Sequence, residues 1–418
     1  MNKQHKLTLI SLLFGTFLSA QTLTLQESID KTLENHPDIK SSSLKIKQSE
    51  SSYKSSYASY LPQVNLDANY NVTQTFVLPQ NGTFNTIDDD GWSATASVKQ
   101  KIWDFSQTSS KVDAANIDKT ISQLSLKEMK ALLVYKVKSL YETMIVESEA
   151  ITVREKDLEA KIAYYKQSLA LVKEGLKTKA DASRFLSAVY SAKENLAAAN
   201  ASFDKAKTTL SLYMGEDIQE GVLLQTELLK QESTVDKSSE QEILNTNYTL
   251  KISTQNIEKN LLLHKSAKAK HYGSIDAIAS YSHVDTLNAY DAKLAGITFS
   301  IPLYSGGRVS AESQKAKIGS SIAIEQKASQ ELALKDEFER LIIDIKHHNK
   351  TIEAKKAEIE SAKETKKVLD GRYTEGLSTY IEVLDATSIV LNAKLGLLEA
   401  YYLKSMAINR IEYLKGKI

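Results

Sequence analysis

Apolar residues recur along the chain at two different spacings, which predict two kinds of element. From Ser106 to Glu174 there is neither glycine nor proline, and apolar side chains recur at steps of three and four. This spacing is typical of a coiled-coil helix, and at 1.5 Å per residue the helix would be on the order of 100 Å long. A second such stretch, Arg308 to Asp370, is broken only by Gly319. We expect helices of this length to pack lengthwise against copies of themselves.

Four shorter segments alternate apolar and polar residues, which is the period of a β-strand with two unlike faces. We predict these strands at about 63–73, 91–104, 274–283 and 293–304. The apolar positions that we expect to face lipid are Val64, Leu66, Tyr70, Ala96, Val98, Ile297 and Phe299. Segments of about ten residues with one apolar face are what a transmembrane barrel strand requires. A half-buried soluble sheet shows the same alternation, so the pattern alone leaves both open.

The segments between the paired strands, Thr73 to Asp90 and His283 to Ala292, are expected to be loops. Trp92 and Trp103 flank the second strand in the way that interfacial tryptophans flank a membrane strand. Their sequence positions differ by an odd number, however. In a regular strand they would therefore lie on opposite faces.

The two halves of the chain repeat one another. At an offset of 201 residues, Gly175-Leu176-Lys177-Thr178 falls on Gly376-Leu377-Ser378-Thr379, and the apolar spacing of the long helices also matches. We therefore predict a tandem duplication. The first repeat is 21–215, with a helix, two strands, a long helix at 106–174 and a helix at 178–214. The connecting segment is 216–240, and the second repeat is 241–418, with a helix, two strands, a long helix at 308–370 and a helix at 378–415.

Residues 1–20 have the composition of a secretory signal peptide. A basic start with Lys3 and Lys6 precedes an apolar run from Leu7 to Leu18 and the small residues Ser19 and Ala20. The apolar run is too short to span a bilayer as a helix. We expect export and cleavage near Ala20.

Composition and charge exclude several classes of function. The chain has 53 basic and 52 acidic side chains and no cysteine, so nothing points to nucleic acid or to a disulfide framework. His264 and His271 are seven residues apart, and His347 and His348 are adjacent; neither pair has the i, i+4 spacing of a shared metal. We find no catalytic constellation and expect no enzyme activity, no metal and no cofactor.

Four segments spread over the chain resemble the outer-membrane efflux protein family, the TolC-like channels. They are Leu23 to Lys40, Tyr60-Leu61-Pro62-Gln63-Val64, Ile301 to Arg308, and Arg372-Tyr373-Thr374-Glu375-Gly376 followed by Val383-Leu384-Asp385-Ala386. The resemblance implies an all-α protein with a transmembrane β-barrel. It implies a homotrimer in which each chain gives four strands to a shared 12-stranded barrel, while the long helices form an α-barrel tunnel through the periplasm.

The resemblance also implies a function and partners. The expected function is an outer-membrane exit duct of a tripartite efflux pump or type I secretion system, with an iris-like periplasmic gate. The expected partners are outer-membrane lipid, a periplasmic adaptor of the membrane-fusion type and an inner-membrane transporter of RND, ABC or MFS type. Two alternatives from other classes are a soluble periplasmic coiled-coil adaptor and a structural coiled-coil surface protein.

Candidate gate residues follow from the same resemblance. Glu382 and Asp385 match acidic positions at the constriction and lie three apart, on one helix face. Asp181 matches an acidic position in the first half. Tyr373 matches a residue of the latch that closes the tip, and the alternative is a core tyrosine. A basic latch residue of the family falls on Ser378 here, so the latch must differ. The alternative for the carboxylates is that they are ordinary solvated side chains.

Overall fold

The computed structural model describes residues 22–80, 82–227 and 238–418. The expected signal peptide and part of the connecting segment lie outside these ranges. The described elements, in chain order, are β1 Thr22–Leu23, α1 Leu25–Asn35, α2 Pro37–Tyr57, a 3-10 turn Ala58–Tyr60, β2 Gln63–Gln80, β3 Thr83–Trp103, α3 Gln107–Lys173, α4 Lys179–Met214, β4 Leu223–Leu224, α5 Ser238–Thr246, α6 Tyr248–Ala269, β5 Ser274–Asp285, β6 Tyr290–Ser300, α7 Arg308–Thr374 and α8 Tyr380–Leu414.

The two long helices occupy equivalent places in the two halves. Arg308, the first residue of α7, lies 201 residues after Gln107, the first residue of α3, and their last residues are separated by the same number. Two asparagines act in the same way in each half. The side-chain amide of Asn35 donates to the carbonyl oxygen of Met214 at 3.0 Å, and that of Asn247 donates to the carbonyl oxygen of Leu414 at 2.9 Å. Each therefore satisfies a carbonyl that the end of a helix leaves unpaired.

The described chain divides into two compact units. The described residues of the first are 22–35, 136–227 and 345–406; those of the second are 36–80, 82–135, 238–344 and 407–418. The first unit holds the α3–α4 and α7–α8 turns, and the second holds the strand pairs. Among the helices that are described, none is both long enough and apolar enough to cross a membrane.

A buried tyrosine fixes the N-terminal end of the first unit. β1 pairs with β4 in parallel. The hydroxyl of Tyr141, whose side chain is fully buried, donates to the carbonyl oxygen of Leu23 at 2.6 Å. The same hydroxyl accepts from the backbone N–H of Gln225 at 3.1 Å. A buried phenol that both donates and accepts satisfies its own polar atom and ties β1 to the helix core.

The second unit contains an antiparallel four-stranded sheet of order β2-β3-β5-β6. β2 and β6 are its edges, so each has one side without a partner strand within the described chain. The unpaired backbone groups of such an edge are a template for another strand.

The first hairpin is longer than the alternating pattern predicts. Much of the segment expected to be a loop, Thr73 to Asp90, is strand in β2 and β3, with a register shift between Asn71 and Gln74. The ladder continues because backbone hydrogen bonds do not require apolar side chains, and polar pairs support it; for example, the Thr75 hydroxyl donates to Asp88 Oδ1 at 2.7 Å. By contrast, β6 ends at Ser300, before the predicted 304, since Pro302 cannot donate to a ladder.

The register places the seven expected lipid-facing residues on one face of the sheet. Directly opposite residues share a face, and Leu66 pairs with Ala96, which pairs with Tyr281. The remaining members follow through the same register: Val64 with Val98, Tyr70 with Trp92, Ile297 with Ala277, and Phe299 with Ile275. All seven side chains are exposed in the single chain. The other face carries polar side chains such as Asn65 and Ser97.

An irregularity in β3 changes the position of Trp103. Lys101 pairs with Asp276, but Trp103 pairs with Ile275, so one extra residue is accommodated on β3. A bulge of this kind shifts the following side chain to the other face. Trp103 therefore shares a face with Trp92, which a regular strand does not allow.

Candidate functional site

Two equivalent turns lie in the first unit, one between α3 and α4 and one between α7 and α8. Gly175 and Gly376 have φ angles of +78° and +75°, a conformation that favours glycine. The backbone N–H groups of the next residues, Leu176 and Leu377, donate to the carbonyl oxygens of Leu171 and Arg372. This is the Schellman pattern that ends a helix.

Capping boxes begin the helices that follow the turns. In the first turn, the backbone N–H and hydroxyl of Thr178 donate to Asp181 Oδ2 at 2.9 and 3.0 Å, and the Asp181 backbone N–H donates to the Thr178 hydroxyl oxygen. In the second turn, Thr379 and Glu382 make the same three bonds. Asp181 and Glu382 are thus equivalent positions of the duplication, and each stabilises a helix start.

Glu382 carries a well-supported negative charge. The hydrogen bonds from the Thr379 backbone and hydroxyl lower the pKa of its carboxyl, and the nearby positive charges of Arg372 and Lys177 lower it further. Asp385, one turn along α8, is exposed. The two carboxylates lie on the exposed side of α8 beside the turn, while Val383 between them is buried.

Tyr373 is at the centre of an aromatic cluster under the turns. Its side chain is fully buried against Phe185, with ring centroids 5.5 Å apart, and Phe185 also contacts Tyr164 and Tyr380. The Tyr373 hydroxyl has no hydrogen-bond partner among the described residues. Burial, and then the negative charge of Asp181, raise the pKa of Tyr373 to about 12, so the residue is a neutral packing group.

Lys177 joins the two turns and was not among the residues predicted from the sequence. Its Nζ donates to the carbonyl oxygens of Ser378 at 2.8 Å and Gly376 at 3.3 Å, and lies 5.4 Å from the centroid of the Tyr373 ring. A signal was present in the duplication, because Lys177 falls on Ser378, where the resemblance leads one to expect a basic residue.

A second polar contact joins the long helices α3 and α7. The Tyr164 hydroxyl donates to Asp370 Oδ1 at 2.6 Å, and Lys366 Nζ donates to Asp370 Oδ2 and to the Tyr164 oxygen, both at 2.6 Å. These side chains are partly buried, which makes such bonds stronger than exposed ones. The α3–α4 pair and the α7–α8 pair are the two helical hairpins of the chain. Together with Lys177, these bonds hold the two helical hairpins against each other.

The comparison with protein families identifies a match over most of the chain. Residues 28–216 and 240–417 match the family model described as "Outer membrane efflux protein". Outer membrane protein TolC of Escherichia coli (strain K12) is 31% identical over 107 residues, which are 26% of this chain and 22% of that protein. The TolC protein of Salmonella enteritidis is 29% identical over 123 residues, 29% of this chain and 25% of that protein. The alignments thus span about a quarter of these curated relatives.

Solved structures show the fold over nearly the whole chain. The channel protein CusC superposes with a TM-score of 0.82 at 17% identity, covering 94% of this chain and 92% of that one. The outer membrane protein VceC of Vibrio cholerae superposes with a TM-score of 0.80 at 16% identity, covering 94% and 96%. At these identities the likeness establishes the architecture, which is the TolC-like fold predicted from the sequence.

Proposed function

Because the chain belongs to the outer membrane efflux protein family, whose members are channels, we propose that it is the exit duct of a tripartite efflux pump or type I secretion system. The duct is passive in this proposal. An inner-membrane transporter of RND, ABC or MFS type supplies the energy, and a periplasmic adaptor connects the transporter to the duct. The observation that carries the proposal is the four-stranded sheet, which has one apolar face and two open edges.

The sheet supports a homotrimer with a shared barrel. Four strands are too few to close a barrel with a passage, whereas the β6 edge of one chain can pair with the β2 edge of the next. Three chains then give 12 strands, with the apolar face toward lipid.

We call the part of the apolar face that would contact lipid the lipid-facing band. Two polar pairs on the same face support a proposal for where this band ends. The indole N–H of Trp92 bonds to Asp285 Oδ2 at 3.1 Å, and His283 Nδ1 lies 2.8 Å from Asp291 Oδ1. Carboxylates are costly in hydrocarbon, so we propose that the band ends below this level, at about Tyr281. An amphipathic Trp92 suits the interface.

The first prediction concerns assembly and conduction. The full-length protein, purified in detergent, is expected to have about three times the mass of one chain after correction for bound detergent, and to form ion-conducting channels in planar bilayers. Light scattering measures the mass, and current recordings measure conduction. A water-soluble monomer that forms no channels would contradict the proposal and would favour an adaptor or a surface protein.

We further propose that the two turns of the first unit form the periplasmic gate and that Lys177 keeps it closed. Lys177 crosses from one helical hairpin to the other with two charge-assisted hydrogen bonds. Such bonds contribute about 1.5–3 kcal/mol each when desolvated, and less here because Lys177 is only partly buried. The hairpins would need to part at this contact for the gate to open.

The second prediction tests this contact. Lys177→Met retains much of the apolar stem but removes both hydrogen bonds and the cation over the Tyr373 ring. We expect the open probability of single channels to rise about tenfold, which corresponds to about 1.4 kcal/mol. Lys173→Met is the matched control, since Lys173 is an exposed lysine at the end of α3. Equal open probability in the two variants would exclude Lys177 as a latch.

A further inference from the structure

Three helices of the first unit line a small, half-open cavity away from the turns. Its volume is about 80 Å³, and one lysine reaches it from each helix: Lys156 from α3, Lys366 from α7 and Lys394 from α8. One water needs about 10–15 Å³ of such space, so the cavity has room for a small ion of several heavy atoms. We call it the lysine pocket.

The positive charge in the lysine pocket exceeds the negative charge. The pocket contains one carboxylate, Asp157, whose Oδ2 accepts from Lys161 at 2.8 Å, while its buried Oδ1 has no hydrogen-bond partner among the described residues. Lys366 is paired with Asp370. Lys156 and Lys394, however, have no hydrogen-bond or ion-pair partner within the part of the chain that the structure describes. Two unpaired ammonium groups therefore lie at the cavity, that of Lys394 partly buried and that of Lys156 exposed to solvent.

The environment of Lys394 disfavours a positive charge on its side chain. Partial burial lowers the pKa of Lys394, and the positive charges of Lys363, Lys156 and Lys366 lower it further. Since these charges sit on separate helices, their repulsion also opposes the packing of α8 against α3 and α7. An anion between them would reverse the sign of this interaction.

We propose that the lysine pocket binds a small oxyanion of the phosphate or carboxylate class, held by Lys156 and Lys394 with support from Lys366. Oxyanions accept several charge-assisted hydrogen bonds from ammonium groups at once, which suits three donors converging from three helices. The bound anion bridges α3, α7 and α8 and so stabilises the packing of the two hairpins. This inference goes beyond the exit-duct proposal and does not depend on it.

Thermal unfolding of the purified full-length protein in detergent tests the proposal. The probe is sodium phosphate, compared with sodium chloride at equal ionic strength. Because a ligand that binds only the folded state raises Tm by mass action, we expect a saturable rise of about 1–3 °C with phosphate. Sodium acetate, as a second probe, shows whether a carboxylate is also accepted. A rise with acetate alone assigns the pocket to carboxylates, and a rise with both assigns it to the whole class.

Two variants locate the binding. Lys394→Gln is expected to weaken the apparent phosphate affinity about tenfold. Lys156→Gln, at a more exposed lysine, is also expected to weaken it. Lys404→Gln is the matched control, since Lys404 is a partly buried lysine on the same helix outside the pocket. Without phosphate, Lys394→Gln should unfold at the same or a higher temperature than the wild type, because it relieves repulsion.

Two results would overturn the proposal. One is that neither phosphate nor acetate raises Tm beyond the effect of chloride. The other is that the rise is the same in Lys394→Gln, Lys156→Gln and Lys404→Gln, which would indicate general screening of charge. Either result would leave the mass and conductance of the channel, and hence the exit-duct proposal, unaffected.

Discussion

Arginine in place of Ala96 is expected to reduce the yield of assembled trimer, whereas arginine at the next position is expected to be tolerated. Ala96 lies on the apolar face between Leu66 and Tyr281 and is exposed in the single chain. If that face meets lipid, an arginine costs about 2–4 kcal/mol per chain at the bilayer midplane and about 0–1 kcal/mol near the interface. Ala96 is opposite Tyr281, toward the upper end of the proposed band, so the cost is expected to lie at the lower end of this range. The penalty is repeated in every copy, so the assembled state should be depleted.

Ser97→Arg is the internal control for this experiment. Ser97 pairs with Asn65 and Ser280 on the polar face, which we propose lines the water-filled interior. The two variants add the same charge and nearly the same volume at adjacent positions, so they differ only in the face. Membrane extraction followed by native electrophoresis measures the trimer. If Ala96→Arg assembled at wild-type yield and Ser97→Arg did not, the assignment of the faces would be inverted.

Neutralising Glu382 and Asp385 together is expected to lower the cation preference of the channel. Both carboxylates are exposed beside the turn that we propose forms the gate, and three chains would bring six of them around one axis. Rings of acidic side chains attract cations and repel anions. The double variant Glu382→Gln with Asp385→Asn removes all six charges. Glutamine keeps the capping interaction with Thr379, so the helix start should be preserved.

Planar-bilayer recordings across a salt gradient measure this effect. The reversal potential should move toward zero at low salt, and the difference from the wild type should shrink at high salt, because the Debye length falls from about 10 Å at 0.1 M to about 3 Å at 1 M. The control is Glu353→Gln with Glu364→Gln, which removes two exposed carboxylates from α7 instead. An unchanged reversal potential at low salt would mean that Glu382 and Asp385 are solvated capping and surface residues.

The sequence by itself determined the features that repeat locally. Periodicity of apolar residues is a property of neighbouring positions, so it predicted two long helices, the strands and the face on which Leu66, Ala96 and Ile297 lie. The offset of 201 residues predicted that the turns at Gly175 and Gly376 are equivalent. The resemblance of four segments identified the family, and the positions of Asp181 and Glu382 followed from it.

Other features depended on contacts between distant residues. The bulge that brings Trp103 to the face of Trp92 is defined by pairing with Ile275, which lies in the other half of the chain. The length of the first hairpin depends on backbone ladders that polar residues also sustain, so alternation of apolar positions could not bound it. The face of Trp103 and the length of the first hairpin were therefore determined by pairing with the partner strand, and not by the local sequence.

The contacts on which the proposals rest were also decided by tertiary structure. The equivalence of Lys177 and Ser378 could be read from the duplication, but the bonds from Lys177 to the opposite turn could not, because they depend on how the two hairpins pack. The lysine pocket is formed by three residues separated by up to 238 positions, Lys156 and Lys394 being the most distant. In the sequence, each of these lysines looks like part of a solvated helix face. A sequence gives the spacing of charges along one helix, but it does not give the distance between charges on different helices.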